Sequence, residues 1–359
     1  MRGNKPLIRD LALAALVTAL ALTVAAAQWQ DDRLPFPAVQ GLDRHAEAEA
    51  AAQRQDDPLP AWNDGAAKQQ ILEIIRTVTQ PGSPAFVPAD QRIATFDNDG
   101  TLWVEKPTYI QVYFILERVK ALAPQHPEWS TTQPFKAVLD NDLAQLEQLD
   151  EKELLQVAFA ASAGMTQDQY EAEMRQFFAT WRHPRFSVGY SELYYQPMVE
   201  LLGYLRQQGF KTFIVSGGGM DFVRLVAPTI YGIPPDQVVG STIEYECQVT
   251  DACTTLVRKP SVTLVDDSAG KPVGIQIHIG QRPLFAAGNT NGDIQMLQYT
   301  QGRGGASFQL LVRHDDPVRE YVYTQNPDSE RALDLAAQNG WLVVSMQRDW
   351  RRIFPFEQK

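Results

Sequence analysis

The chain has only two cysteines in 359 residues, Cys247 and Cys253. That excludes a disulfide-built miniprotein and a zinc site made of thiolates. Its five histidines are scattered, and none has the spacing of a zinc-binding pair. Cations are in the minority: 32 Lys and Arg stand against 43 Asp and Glu, a formal charge of -11. Nucleic-acid phosphates are held by clustered cations, so nucleic acid is not an expected partner. After residue 27 no uncharged apolar run is long enough to span a bilayer. No internal repeat is visible, which excludes a solenoid.

The N-terminus reads as an export signal. Arg2, Lys5 and Arg9 precede an uncharged run from Leu11 to Ala27, which closes on Ala25-Ala26-Ala27. This order of basic, apolar and small residues is that of a secretory signal peptide over 1–27, cleaved after Ala27. The alternative is an uncleaved N-terminal membrane anchor. The mature chain is then expected to be secreted or periplasmic, with no membrane contact unless the anchor stays. In that oxidising setting Cys247 and Cys253, with five residues between them across a hairpin, either pair or remain free.

Residues 28–66 are rich in Ala, Gln, Asp and Pro and read as a tether or a surface-wrapping arm. A helical period starts at Ala67. Short apolar strands are expected at Arg92–Asp97, Lys211–Ser216, Pro283–Ala287, Phe308–Val312 and Trp341–Ser345, with amphipathic helices between them. Tyr245–Val249 and Thr254–Val257 read as a hairpin, and Ser261–Val265 and Ile275–Ile279 as further extended segments. Strand–helix alternation of this kind predicts an α/β fold, a Rossmann-like parallel sheet with helices on both faces. Residues 108–181 are helical throughout and interrupt the alternation. The expected division is a core of 67–103 and 191–359, with a mainly helical cap at 104–190.

The chemistry concentrates in Phe96-Asp97-Asn98-Asp99-Gly100-Thr101-Leu102. An apolar strand runs into two carboxylates two positions apart, where an open parallel sheet binds its ligands. Positions i and i+2 face the same way, so Asp97 and Asp99 can meet one ligand while Asn98 points elsewhere. A calcium loop is excluded, because Gly100 comes one position early and position 108 is Thr rather than Glu. A nucleophilic serine at Ser216 is discounted as well, since G-x-S-x-G would need glycine where Ile214 stands.

DNDGTL after an apolar strand resembles the first motif of the haloacid dehalogenase-like hydrolase superfamily. Ile214-Val215-Ser216-Gly217-Gly218 is similar to its second motif, Lys271 in Ala269-Gly270-Lys271-Pro272 to its third, and Gly288-Asn289-Thr290-Asn291-Gly292-Asp293 to its fourth. The four occur in order over about residues 90–300 and are most similar to the phosphoserine phosphatase-like branch. The resemblance implies that Asp97 is a nucleophile forming an aspartyl-phosphate and Asp99 the acid and base for leaving group and water. It implies that Ser216, Gly217 and Gly218 bind phosphoryl oxygens and that Lys271 offsets the charge on them. Lys259 competes for that last role. Mg2+ is implied as cofactor, held by Asp97, the Asp99 carbonyl and the loop with Asn289 and Asp293. Asn289 departs from the pattern, since the branch usually has Asp there, and which of Asn289 and Asp293 touches the metal stays open. Glu105 lies near the place of a glutamate that contacts the substrate amine.

The expectation is thus an exported phosphatase acting on small phosphate monoesters, phosphoserine-like or of broad specificity. Two alternatives stay open: a non-catalytic phosphate- or metal-binding homologue, and a hydrolase of the same family acting on a carbon–halogen or phosphonate bond. Arg182, His183 and Arg185 are expected in a solvated basic turn, and Phe177, Phe178 and Trp181 in the core of the cap.

Overall fold

The computed structural model describes residues 57–146, 149, 151–323 and 327–357. The expected signal peptide and most of the expected arm lie outside the described residues. In chain order the elements are α1 (Ala66–Thr79), β1 (Ile93–Phe96), α2 (Ile110–Leu122), α3 (Phe135–Asp140), α4 (Leu143–Leu146), α5 (Glu151–Ala160), α6 (Gln167–Thr180), α7 (Gln196–Gln207), β2 (Lys211–Gly219) and α8 (Met220–Tyr231). There follow β3 (Val238–Val249), β4 (Thr254–Leu264), α9 (Gly270–His278), β5 (Phe285–Gly288), α10 (Ile294–Gln301), β6 (Phe308–Arg313), α11 (Pro327–Asn339), β7 (Leu342–Ser345) and α12 (Met346–Asp349).

The strands form one sheet in the order β4-β3-β2-β1-β5-β6-β7. All neighbours are parallel except β3 and β4, which are antiparallel. The fold is thus the expected Rossmann-like α/β sheet. Its central strands β1 and β5 are buried along their whole length, because helices cover both faces. One face packs Phe96, Ile214 and Phe285 into a large core, and the other packs Val215, Ala286 and Leu311 against Leu297 and Ala336. From β1 the chain first builds outward through β2 and β3, then returns to β5 on the opposite side. This reversal is the switch point where doubly wound sheets leave a crevice at their strand ends.

Helices α2 to α6 are inserted between β1 and β2. They share aromatic packing with α8, through Phe114 against Phe222 at 5.9 Å and Phe178 against Phe222 at 4.8 Å between ring centroids. Phe177 and Trp181 lie in this core too. The insertion also grips the β3–β4 hairpin, since Arg258 N donates to Met165 O at 2.9 Å and Gly164 N to Arg258 O at 2.9 Å.

Three expectations change. Ile275–Ile279 is not extended, because Ile275 to His278 lie inside α9. Ile275 and Ile279 are four apart as well as on one strand face, and Pro272 in the first helical turn forfeits no hydrogen bond, so the helix wins. Of the two readings of the arm, residues 57–65 exclude the free tether: Leu59 and Trp62 are fully buried, and Trp62 Nε1 donates to Pro197 O at 2.9 Å, so this stretch packs onto the core as a wrapping arm does. The basic turn is solvated only in part: Arg182 and Arg185 are exposed as expected, but His183 is buried, and Arg185 ties the turn down by donating to the carbonyls of Pro317, Val318 and Glu320. Cys247 and Cys253 are both free and exposed, and Cys247 stands opposite Leu256 in the hairpin.

Candidate active site

A cavity of about 270 Å³ opens between the strand ends and the helical insertion. Asp97 and Asp99 both line it, while Asn98 is fully buried and accepts from Tyr231 OH at 3.1 Å. The turn after β1 is tight. Asn98 O accepts from the amides of Thr101, Leu102 and Trp103, and Gly100 N donates to Trp103 O at 2.8 Å. Gly100 has φ +76°, and a Cβ there would collide with Asn289 Nδ2, so only glycine lets the two loops meet.

Lys271, the second residue of α9, is buried and donates to Asp97 Oδ1 at 2.6 Å, Asp293 Oδ1 at 2.6 Å and Val215 O at 3.0 Å. Burial disfavours its charge, but Asp293, Asp97 and Asp267 outweigh that and raise its pKa. Lys259 lies on the hairpin and pairs at 2.8 Å with Glu246, both partly exposed, so it is not at the site. Asp97 is pushed well above the usual carboxylate range, first by burial and then by Asp293, against the pull of Lys271. Asp99 is pushed up to about 6, first by burial and also by Glu105, while Trp103 Nε1 donates to its Oδ1 at 2.8 Å and draws it down.

Asp293 uses its other oxygen to close the loop after β5, accepting from Asn289 N at 2.9 Å and Thr290 N at 3.1 Å. Asn289 donates Nδ2 to Glu105 Oε1 at 3.0 Å, and its Oδ1 lies 3.4 Å from Thr101 Oγ1. Glu105, almost fully buried, also lines the cavity. Ser216 is fully buried beneath the wall, where its Oγ accepts from Gly218 N at 3.1 Å. Gly217 and Gly218 do line the cavity, and Gly219 N donates to Gln111 Oε1 at 2.8 Å.

Four groups that the motifs did not single out share the cavity: Tyr109, Asp267, Asp221 and Arg258. Asp267 packs between the two glycine loops, 3.4 Å from where a Gly217 Cβ would lie and 2.7 Å from where a Gly292 Cβ would lie. The Tyr109 phenol is pushed well above its ordinary value, first by burial and then by Glu105, Asp99, Asp267 and Asp97, so it stays a neutral donor. Arg258 Nη1 donates to Asp221 Oδ2 at 2.5 Å, Gln167 Oε1 at 2.8 Å and Tyr245 OH at 3.2 Å. These residues are far apart in sequence and follow no local pattern. Among the histidines, His314 supports the site from behind: it is buried, with Nε2 at 2.7 Å from Gly100 O and Nδ1 at 3.0 Å from Glu320 Oε2.

The donors around Asp97 are oxygens, apart from Lys271. Asn289 has committed its amide nitrogen to Glu105, which leaves Oδ1 as its acceptor. A hard cation such as Mg2+ suits that set. Among the described residues no three His, Cys, Asp or Glu side chains form a metal cage. Mg2+ does not need one, since it is commonly held by one or two carboxylates together with substrate phosphate and water.

A family model of the haloacid dehalogenase-like hydrolases matches residues 94–298. No curated protein matches the chain. Solved structures similar to it include a conserved protein of unknown function from Anaerococcus prevotii, 13% identical, with 79% of this chain and 94% of that chain covered and a TM-score of 0.49. A phosphoserine phosphohydrolase-like protein from Francisella tularensis is 17% identical, with 70% and 94% covered and a TM-score of 0.39. A probable phosphoserine phosphatase from Vibrio cholerae is 15% identical, with 70% and 69% covered and a TM-score of 0.34.

Proposed function

The chain belongs to the haloacid dehalogenase-like hydrolases, and from that premise we propose that it is a Mg2+-dependent phosphatase of small phosphate monoesters, working through an aspartyl-phosphate. The observation that carries the proposal is the shared wall: Asp97 and Asp99 line one cavity, and the Lys271 ammonium sits 2.6 Å from Asp97 Oδ1.

In this reading Lys271 engages Oδ1 of Asp97, and Oδ2 attacks phosphorus as the ester P–O bond breaks. Asp99 gives its proton to the leaving oxygen. It then takes one from the water that cleaves the aspartyl-phosphate and releases inorganic phosphate. A pKa of about 6 suits a group that must hold and surrender a proton near neutrality. The loop of Gly217 and Gly218, which lines the cavity, would receive phosphoryl oxygens, with Ser216 fixing that loop from beneath and Lys271 offsetting the charge that grows on them. Asp97, the Asp99 carbonyl, Asn289 and Asp293 would hold Mg2+. When bound, the ion would keep Asp97 ionised as the nucleophile and offset the repulsion between the acids and phosphate.

The test is p-nitrophenyl phosphate hydrolysis. Wild type releases nitrophenol with Mg2+ and not with EDTA, and Asp97→Asn releases none. A wild type that is inactive with Mg2+, or an active Asp97→Asn, overturns the reading. We also propose export through residues 1–27. N-terminal sequencing of the mature protein should then begin at Gln28, and a chain that retains Leu11–Ala27 is an anchored form.

A further inference from the structure

The charged lining of the cavity is mostly acidic. Asp97, Asp99, Glu105, Asp267 and Asp293 line it, and among the described residues the lining cations are Lys271 and Arg258. Both cations are committed. Lys271 bridges Asp97 and Asp293, and Arg258 is tied to Asp221 at 2.5 Å and stacked 3.7 Å over the Tyr170 ring. The Arg258–Asp221 pair is neutral overall. A substrate with a second anionic group would therefore meet five acids and no uncommitted cation. The carboxylate of an amino acid is such a group, and burying it unpaired is costly.

The rest of the cavity wall has a different character. Ile115, Phe159, Phe222, Val223, Ile243 and Val262 line it, from α2, α5, α8, β3 and β4. These side chains come from the helical insertion, α8 and the hairpin, and apolar atoms make up most of the lining, with Gln111, Thr242 and the Asp221–Arg258 pair among them. Val262 remains 38% exposed at its edge. The same cavity holds Asp97, so whatever is esterified to the phosphate must lie along this wall. Burial of apolar carbon there favours binding by about fourfold per methylene.

Resting on the phosphatase reading, we propose that the substrate is a phosphate monoester of an apolar alcohol or phenol, and that phosphorylated amino acids are poor substrates. The reacting phosphate sits among Asp97, Lys271 and the loop of Gly217. The apolar body sits between Phe222 and the hairpin.

The experiment measures kcat/KM with Mg2+ for n-alkyl phosphates from ethyl to octyl, for 2-naphthyl phosphate and for phosphoserine. The expected result is a rise of tenfold or more along the alkyl series, with phosphoserine at the bottom. Val262→Ser should lower the octyl-to-ethyl ratio, because it removes part of the apolar wall at its exposed edge, where folding tolerates the change. A flat alkyl series, an unchanged ratio in Val262→Ser, or a preference for phosphoserine overturns this inference and leaves the phosphatase reading in place. Failure to hydrolyse any ester overturns both.

Discussion

Lys271 sets its ammonium 2.6 Å from Asp97 Oδ1, with the lysine almost fully buried. The same nitrogen lies 2.6 Å from Asp293, so one cation holds two carboxylates that would otherwise repel each other. Lys271→Met leaves both acids buried without a cation, although Asp293 keeps the amides of Asn289 and Thr290. Breaking a buried pair in this way costs about 3–5 kcal/mol. The expected outcome is loss of phosphatase activity together with a destabilisation of that order in urea unfolding. The double variant Lys271→Met/Asp293→Asn relieves the repulsion, so it should recover part of the stability and none of the activity. Equal stability of the single and double variants would show that the pairing is not what holds the site together.

The Asn289 side chain owes its identity to Glu105. Nδ2 of the asparagine donates to Glu105 Oε1 at 3.0 Å, and both residues are buried. An aspartate at 289 would set a carboxylate against a carboxylate in a region of low dielectric. In EDTA, Asn289→Asp should therefore unfold at a lower temperature than wild type, with a loss of roughly 1–3 kcal/mol. Adding Glu105→Gln restores a donor and should return most of that loss. If the double variant is no more stable than Asn289→Asp, the departure from the usual acid has another cause.

Much of this centre was legible in sequence because its parts are local. Asp97 and Asp99 stand at the end of an apolar strand, and a spacing of two sends both into the cavity. The Gly100 turn was legible for the same reason. Choosing between Lys271 and Lys259 was harder, since each is a lone lysine and only the packing of α9 against Val215 places one of them inside. Helix α9 itself was misread because Ile275, Ile277 and Ile279 satisfy a strand period while Ile275 and Ile279 also satisfy a helical one. Asp267, Tyr109 and Arg258 left no signal, since their meeting depends on how β4, α2 and the hairpin are brought together. Arg185 is the surface cation that it reads as, but His183 is buried, because nothing in the sequence announces that Tyr321 and the 314–323 segment pack beside it.

Asp99, held up to about 6 by burial, has a consequence for leaving groups. A poor leaving group such as an alkoxide needs the Asp99 proton, whereas nitrophenolate departs without it. For an alkyl phosphate the proton-donating form is present below about pH 6 and is lost as pH rises through that value. The alkyl ester should therefore show a falling limb above pH 6 that the nitrophenyl ester lacks. Asp99→Asn should lower kcat/KM, which reports phosphoryl transfer to Asp97, by about 10²–10⁴-fold for the alkyl ester and far less for the nitrophenyl ester, while hydrolysis of the shared aspartyl-phosphate slows for both. Equal losses on both esters would remove Asp99 from the acid role.

His183 ties stability to pH. Its Nδ1 accepts from the amides of Arg185 at 3.1 Å and Phe186 at 3.3 Å, and its Nε2 faces Lys106 O at 2.8 Å. A nitrogen that accepts from two amides has no room for a proton, and Nε2 carries the single hydrogen, donating it to the carbonyl. Burial pushes the pKa down, from 6.5 to about 4, with Arg185 adding to the effect. The folded ring is thus neutral where the unfolded one takes up a proton. Above about pH 6.5 neither state binds it and the contribution is fully present. As pH falls toward 4 the unfolded state gains protons that the folded state refuses, and stability declines by roughly 3 kcal/mol over that range. His183→Asn offers an oxygen to the same two amides and does not titrate. Urea unfolding between pH 4 and 7 should show wild type losing more stability than this variant, with the two curves converging toward acid. Parallel curves would mean that the folded ring takes up its proton over the same pH range as the unfolded one, so that its burial does not set its state.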